Sequence, residues 1–309
     1  MSVTGKEIKH DICLPFEVEG ADVRGQTVRL QSSIDDVLKK HNYPTPVSVM
    51  VGEMLSLAVM LGSSLKFEGR LSLQTRSDGA VNMLVADFFT PGSVRAYARF
   101  DEAKLEEEVK AADGKKLSVN EILGKGQFSL VIDQGPDTEP YQGIVALEGQ
   151  NISECAETYF KQSEQIASSI KVAVSEVFGQ DGQSWSAGGI MIQHLPKPGE
   201  GKVEREESPA EIWSRVNVLQ ATTEDHELTD PSLSAEELLF RLFHEDGVRV
   251  FDHRGIEAGC TCSNDKVENV LRGFDAKELD DMVKDDGLID VTCEFCNASY
   301  VFSPEGLAG

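Results

Sequence analysis

The sequence predicts an α+β protein: a mixed core domain with antiparallel strands and helices, an amphipathic helical linker, and a small C-terminal zinc-binding domain. Three observations carry that reading. Short strand-like stretches alternate with helical patterns over residues 1–198, a break at Pro196, Pro198 and Gly199 opens a strongly acidic stretch, and four of the six cysteines fall in the last fifty of 309 residues. At roughly 100–200 residues per domain, this length allows two domains or three small ones. A hydrophobic content of 40% is enough to bury a core.

In chain order, residues 33–38 begin a short helix that ends near Asn42, Tyr43 and Pro44, and Pro46 suits the first turn of a longer apolar helix over 47–61. That run has 15 residues and contains Glu53. It falls short of the roughly 18 needed for a membrane span and reads as a buried helix. Residues 65–75, Val81–Phe89, 94–100 and 128–133 alternate apolar and polar side chains between Gly, Asp and Pro turns. Short strands in succession favour antiparallel pairing. Asn151-Ile152-Ser153-Glu154 has the form of a capping box, and Ala156, Tyr159, Phe160 and Ile166 share one broad face, which predicts a helix of about four turns. Residues 170–177 alternate as a strand, and 187–193 resume one after a Gly-rich turn. The core domain is therefore expected at 1–198.

The linker is expected at 199–254. Residues 200–238 contain 11 acidic and 3 basic residues, yet they are patterned. Ser208-Pro209-Ala210-Glu211 is a capping box with Pro at its first helical position, followed by Ile212, Trp213, Val216 and Leu219 at helical spacing. Ser234-Ala235-Glu236-Glu237 has the same form and precedes Leu238, Leu239, Leu242 and Phe243. Two amphipathic helices need a partner surface, and packing on the core is its plainest source.

Residues 255–309 form the third unit, with helices over Asn264–Leu271 and 275–284 and strands over 288–291 and Ser299–Phe302. A unit of about fifty residues needs a staple. Cys260-Thr261-Cys262 and Cys293-Glu294-Phe295-Cys296 stand 30 residues apart, and four soft thiolates suit tetrahedral zinc. The C-x-C pair is tighter than structural zinc ribbons ordinarily use, which brings redox chemistry into view. Thiolates are what oxidants attack, and a disulfide within either pair would remove two of the four ligands. Cys13 and Cys155 read as small buried residues.

With 29 Lys and Arg against 53 Asp and Glu, the formal charge is −24, so nucleic acid and anionic membrane surfaces are not expected partners. The region 260–309, with 4 basic and 11 acidic residues, argues against a nucleic-acid-binding zinc ribbon. The N-terminus, MSVTGKEIKHDICLPF, has no continuous apolar stretch and no small-residue cleavage pattern, so a cytoplasmic chain is expected. The six histidines are scattered, and Gly124-Lys125-Gly126 lacks a phosphate-loop frame, so an enzyme is not expected. The competing reading is a thiol-disulfide oxidoreductase using Cys293 and Cys296. It requires the motif at a helix N-terminus after a strand, whereas here it lies between short strands.

The two cysteine motifs, with Tyr300-Val301-Phe302 after them, the run Tyr159-Phe160-Lys161-Gln162-Ser163-Glu164-Gln165-Ile166, the turn Ala187-Gly188-Gly189-Ile190 and the run Leu239-Phe240-Arg241-Leu242-Phe243-His244-Glu245 together resemble the bacterial heat-shock protein 33 family. The likeness spans nearly the whole chain. It implies a redox-regulated, ATP-independent holdase chaperone, inactive when reduced and zinc-bound and activated by hypochlorite or peroxide under unfolding conditions. It also implies disulfides pairing Cys260 with Cys262 and Cys293 with Cys296, unfolded proteins as partners, and leaves open a homodimer of the oxidised form.

Structural zinc contributes about 10–16 kcal/mol in small peptides, against roughly 5–15 for the net stability of a whole domain. Its loss is expected to unfold 255–309, remove a neighbour from the linker, and expose Ile212, Trp213, Leu219, Leu238, Leu239, Phe240 and Phe243 as client-binding surface. Their acidic surroundings would keep the opened chain soluble.

Overall fold

The computed structural model describes residues 8–307 except 116, 180–181 and 195–206. The expected core boundary at 196–199 therefore lies outside the described residues.

Strands β1 (Ile12–Val18) and β2 (Val23–Leu30) form a hairpin that the sequence pattern does not announce. Both are buried along nearly their whole length, with Glu17, Gln26, Thr27 and Arg29 among the buried residues, so neither has a solvent face to impose an apolar–polar alternation. Helix α1 (Ser32–Leu38) starts where expected, but its cap comes from a distance. The Asp11 carboxylate accepts from the backbone N–H of Gln31, Ser32 and Ser33 at 3.0, 3.1 and 2.8 Å. Helix α2 (Thr45–Ser64) has Pro46 in its first turn and is 20 residues long, five more than its apolar run. By length and hydropathy it is able to cross a membrane, yet 78% of its apolar window is buried inside the protein. It is the central core helix.

Strands β3 (Arg70–Ser77), β4 (Val81–Phe89) and β5 (Ser93–Phe100) follow as an antiparallel meander. The expected strand at 65–75 begins only at Arg70, because Gly69 sits at φ 126° against the Asp133 carbonyl. Helices α3 (Glu102–Ala111) and α4 (Val119–Leu123) lead to β6 (Gly126–Asp133) and β7 (Tyr141–Ala146). Helix α5 (Ile152–Tyr159) is shorter than the four turns expected. It passes into a single π-turn over Phe160–Glu164 and stops at Gln165, which has left-handed φ 55°. Asn151 caps it, but the Glu154 carboxylate accepts from Gln150 N–H rather than closing a reciprocal box. The hairpin β8 (Ser168–Gly179) and β9 (Gly182–His194) completes the N-terminal part.

The linker segment forms α6 (Pro209–Ala221), α7 (Asp225–Thr229) and α8 (Ala235–Phe243). The Ser208–Glu211 capping box is reciprocal; at Ser234 only the cap is present, because Glu237 turns to Arg241 at 2.7 Å. Three short strands follow, β10 (Val248–Val250), β11 (Arg254–Gly255) and β12 (Glu257–Ala258). The C-terminal unit holds α9 (Asn264–Leu271), α10 (Ala276–Met282), β13 (Ile289–Thr292), β14 (Ser299–Phe302) and α11 (Pro304–Leu307).

Two six-stranded sheets organise these elements. One has the order β10-β1-β2-β9-β8 with β11 also on β1; the other runs β12-β5-β4-β3-β6-β7, antiparallel except for the β12–β5 pair. Helix α2 belongs to the large core shared by the two sheets, with Met54, Leu55, Leu57 and Leu61 fully buried. A second cluster joins the opposite face of β1, β2 and β9 to α6, α7 and α8; in it the rings of Phe16 and Phe243 stack at 5.9 Å. The C-terminal unit has its own small cluster of Leu271, Leu279, Ile289, Phe302 and Leu307.

Candidate metal centre

Cys260 and Cys262 lie in the turn between β12 and α9. The approach to them is set by Gly259, whose N–H donates to the Val94 carbonyl at 2.8 Å and where a Cβ would lie 2.3 Å from Ser93 Oγ. Cys293 and Cys296 lie in the β13–β14 hairpin turn, closed by Cys293 N–H to the Ala298 carbonyl and Asn297 N–H to the Cys293 carbonyl, both 2.9 Å. Asn297 takes left-handed φ 56°, which Asn tolerates. This is the placement between short strands that the sequence led one to expect.

The four sulfurs converge. Sγ separations are 3.3 Å for Cys260–Cys262, 3.7 Å for Cys260–Cys293 and 3.4 Å for Cys262–Cys296, and all four lie within 4.8 Å of one another. A tetrahedron of sulfurs around a cation with ~2.3 Å bonds has edges of about 3.8 Å. The four free thiols are therefore grouped to hold a single metal ion.

The Tyr300 hydroxyl donates to Cys262 Sγ at 3.0 Å. Burial alone would raise the Cys262 thiol, but this donor and the neighbouring thiols bring it down to about 7. Burial raises Cys293, and it raises Cys296 to about 12. Tyr300 rises to about 12, chiefly through its bond to that sulfur. The role of Tyr300 had no signal in local spacing, because its partner lies 38 residues away. Cys13 and Cys155 are buried away from the cluster, as expected, and burial pushes them up to about 12 and about 11.

The residues between and beside the four cysteines dock this knuckle on the core. Phe295 lies under the Arg95 guanidinium at 3.8 Å and meets the Tyr97 ring edge-on at 4.7 Å. Arg95 also donates to Thr261 Oγ1 at 2.9 Å, and Arg99 pairs with Glu294 at 2.8 Å. On the other side, His41 Nε2 meets the Phe295 carbonyl at 3.2 Å, and the Asn297 amide donates to the Lys40 carbonyl.

The seven linker residues singled out above divide into two groups. Ile212, Leu238, Leu239 and Phe243 are buried against the first sheet, with Trp213 and Leu219 partly buried beside them. Phe240 is 62% exposed on the other side of α8. The expectation that the C-terminal unit shelters these side chains needs correcting: the cluster that buries them is built from β1, β2, β8 and β9 and the linker's own residues, while the knuckle docks on β5 and the α1–α2 turn. Amphipathic spacing states that a face is covered; it does not state by what.

Two largely antiparallel sheets around a buried helix, an outer layer of amphipathic helices and a terminal knuckle of four thiols able to hold a metal ion define an α+β protein with a small cysteine-clustered appendage. The model of the Hsp33 protein family matches residues 11–303, and the chain belongs to that family. It is 43% identical over 297 residues to the 33 kDa chaperonin of Caulobacter vibrioides (strain NA1000 / CB15N), covering 96% of each chain. It is 35% identical to the 33 kDa chaperonin of Chromobacterium violaceum over 298 residues, covering 96% of this chain and 92% of that one. Among solved structures it is similar to the 33 kDa chaperonin (heat shock protein 33 homolog) of Thermotoga maritima, with a TM-score of 0.75 and 25% identity over 96% of this chain and 97% of that one.

Proposed function

We propose that this protein is a cytoplasmic, redox-regulated, ATP-independent holdase that binds unfolding proteins and catalyses no reaction. The observation that carries the reading is the knuckle: its four cysteines are grouped closely enough to hold one metal ion, while Thr261, Glu294, Phe295 and Asn297, between and beside them, hold the unit to the core. Metal loss therefore removes staple and dock together. Zinc is the ion of choice, because four thiolates at tetrahedral spacing form a soft, closed ligand set.

In the reduced state Cys260, Cys262, Cys293 and Cys296 would hold the zinc. The pairing is that implied by the family resemblance, Cys260 with Cys262 and Cys293 with Cys296. Each closure would take two electrons from a pair of thiolates as their S–S bond forms; hydrogen peroxide accepts these with two protons from solvent and leaves as two waters, and the zinc site would lose two of its four ligands. The unit's remaining cluster has five buried apolar residues, too few to keep it folded alone. Once it unfolds, the two-residue β12–β5 pairing loses its support, and β11 and β10, which lead back towards α8, are left held by β1 alone. On this reading residues 1–198 are the stable core, 199–254 the moving linker and 255–309 the redox switch. The linker's Ile212, Trp213, Leu219, Leu238, Leu239 and Phe243 become client-binding surface beside the already exposed Phe240.

The test is zinc content and free-thiol count before and after peroxide with mild heat, read alongside suppression of a heat-denatured client's aggregation. Zinc release and loss of four thiols together with the onset of holding is expected. Undiminished client aggregation after zinc release would sink the chaperone reading and leave the metal site standing.

A further inference from the structure

The knuckle covers one end of a groove on the outer face of the second sheet. The groove has a volume of about 490 Å³, and four arginines line it: Arg70 and Arg76 on β3, Arg95 and Arg99 on β5. Such a concentration of cations is conspicuous in a chain of formal charge −24. Asp87 lies at its base, 1% exposed, with Oδ2 held by Arg95 at 2.7 Å and Oδ1 buried without a hydrogen-bond partner. Arg70 is tied to Asp133 at 3.2 Å by a pair that is more than a third exposed on both sides, which solvent readily opens. The exposed Arg76 stands further along the same strand.

The chain itself demonstrates what this face accepts. Glu294 places a carboxylate on Arg99, and the adjacent Phe295 places a ring between the Arg95 guanidinium and Tyr97. An acidic residue followed by an aromatic one fills the end of the groove, and the unfilled length continues as Arg70 and Arg76. We infer that, once the knuckle leaves, this groove binds acidic polypeptide segments carrying an aromatic residue next to a carboxylate, with Glu294-Phe295 as the resident stand-in. The inference rests on the proposed release of the knuckle. It adds a second client surface of different chemistry from the apolar linker helices. Elsewhere on this acidic protein such segments are repelled; here the charge is complementary.

Calorimetric titration of the full chain tests it, using the reduced zinc-loaded protein and the same protein after peroxide and zinc chelation. Three ten-residue peptides serve as probes: one alternating Glu with Phe, one with Lys in place of Glu, and one with Ala in place of Phe. The released form should bind the Glu/Phe peptide at least tenfold tighter than either control, and the zinc-loaded form should bind it at least tenfold more weakly than the released form does. Arg99→Glu should abolish the preference. Arg76→Glu, at a position outside the knuckle contacts, should weaken it with docking preserved. Equal binding of the three peptides, or a preference that survives both substitutions, overturns the inference. Aggregation suppression on the same samples separates the readings: holding without peptide preference removes the groove and spares the chaperone, whereas peptide preference without holding does the reverse.

Discussion

Replacing Phe243 by Ala tests whether the linker helices gate activity. Phe243 is fully buried at the end of α8 and stacks on Phe16 of β1 with an interplanar angle of 20°. Truncating a buried Phe costs about 3–5 kcal/mol, of which the ring pair accounts for roughly 0.5–1.5. Helix α8 has nine residues, too short to persist without its packing. Its detachment costs at most the global stability of roughly 5–15 kcal/mol, so losing about 3–5 raises the detached population by about a hundredfold to several thousandfold. Two measurements on the reduced, zinc-loaded variant check this. Amide exchange over 238–246 should accelerate by that factor, and suppression of client aggregation under strong reductant should become partial instead of absent. Phe240→Ala, on the exposed side of the same helix, should leave exchange unchanged, with a stability change within about 0.5 kcal/mol. A folded Phe243→Ala protein with accelerated exchange that holds no client until oxidised would refute the gate. Unchanged exchange would refute the packing arithmetic.

Proline at Val216, a fully buried position inside α6, should cost about 3 kcal/mol or more and produce the same partial activity under reductant, read by the same aggregation assay. Cys296→Ser should lose the bound zinc, and stoichiometric metal retained on elemental analysis would contradict the four-thiolate assignment. Arg95→Ala removes the guanidinium above Phe295 and the donor to Thr261, so proteolytic cleavage within 289–302 should become faster while zinc content is preserved. The Cys13 and Cys155 thiols, pushed up to about 12 and about 11 by burial, present at most roughly one thiolate in a thousand at pH 8. Mass mapping after native iodoacetamide treatment should find both unmodified below pH 8, with labelling rising only as the pH climbs towards those values or the fold opens.

Local pattern announces the elements that have one polar and one apolar side, and the chemistry that depends on spacing. Helices α6 and α8, strands β4 to β6, the β13–β14 pair and the four-cysteine ligand set were all legible, because alternation, capping residues and paired thiols express themselves within a few positions. Where burial is two-sided, or where the partner is distant, the sequence was silent. β1 and β2 lack a solvent face to set an alternation, and α1 takes its cap from Asp11, about twenty residues before it. Strands β10 to β12 are too short to have a period, and exist because β1 and β5 offer them edges. Likewise, the linker's apolar faces are covered by the first sheet and the knuckle settles on the arginines of the second through contacts that no local pattern encodes. An amphipathic face or a cation specifies the kind of neighbour it needs, and long-range packing alone selects which neighbour that is.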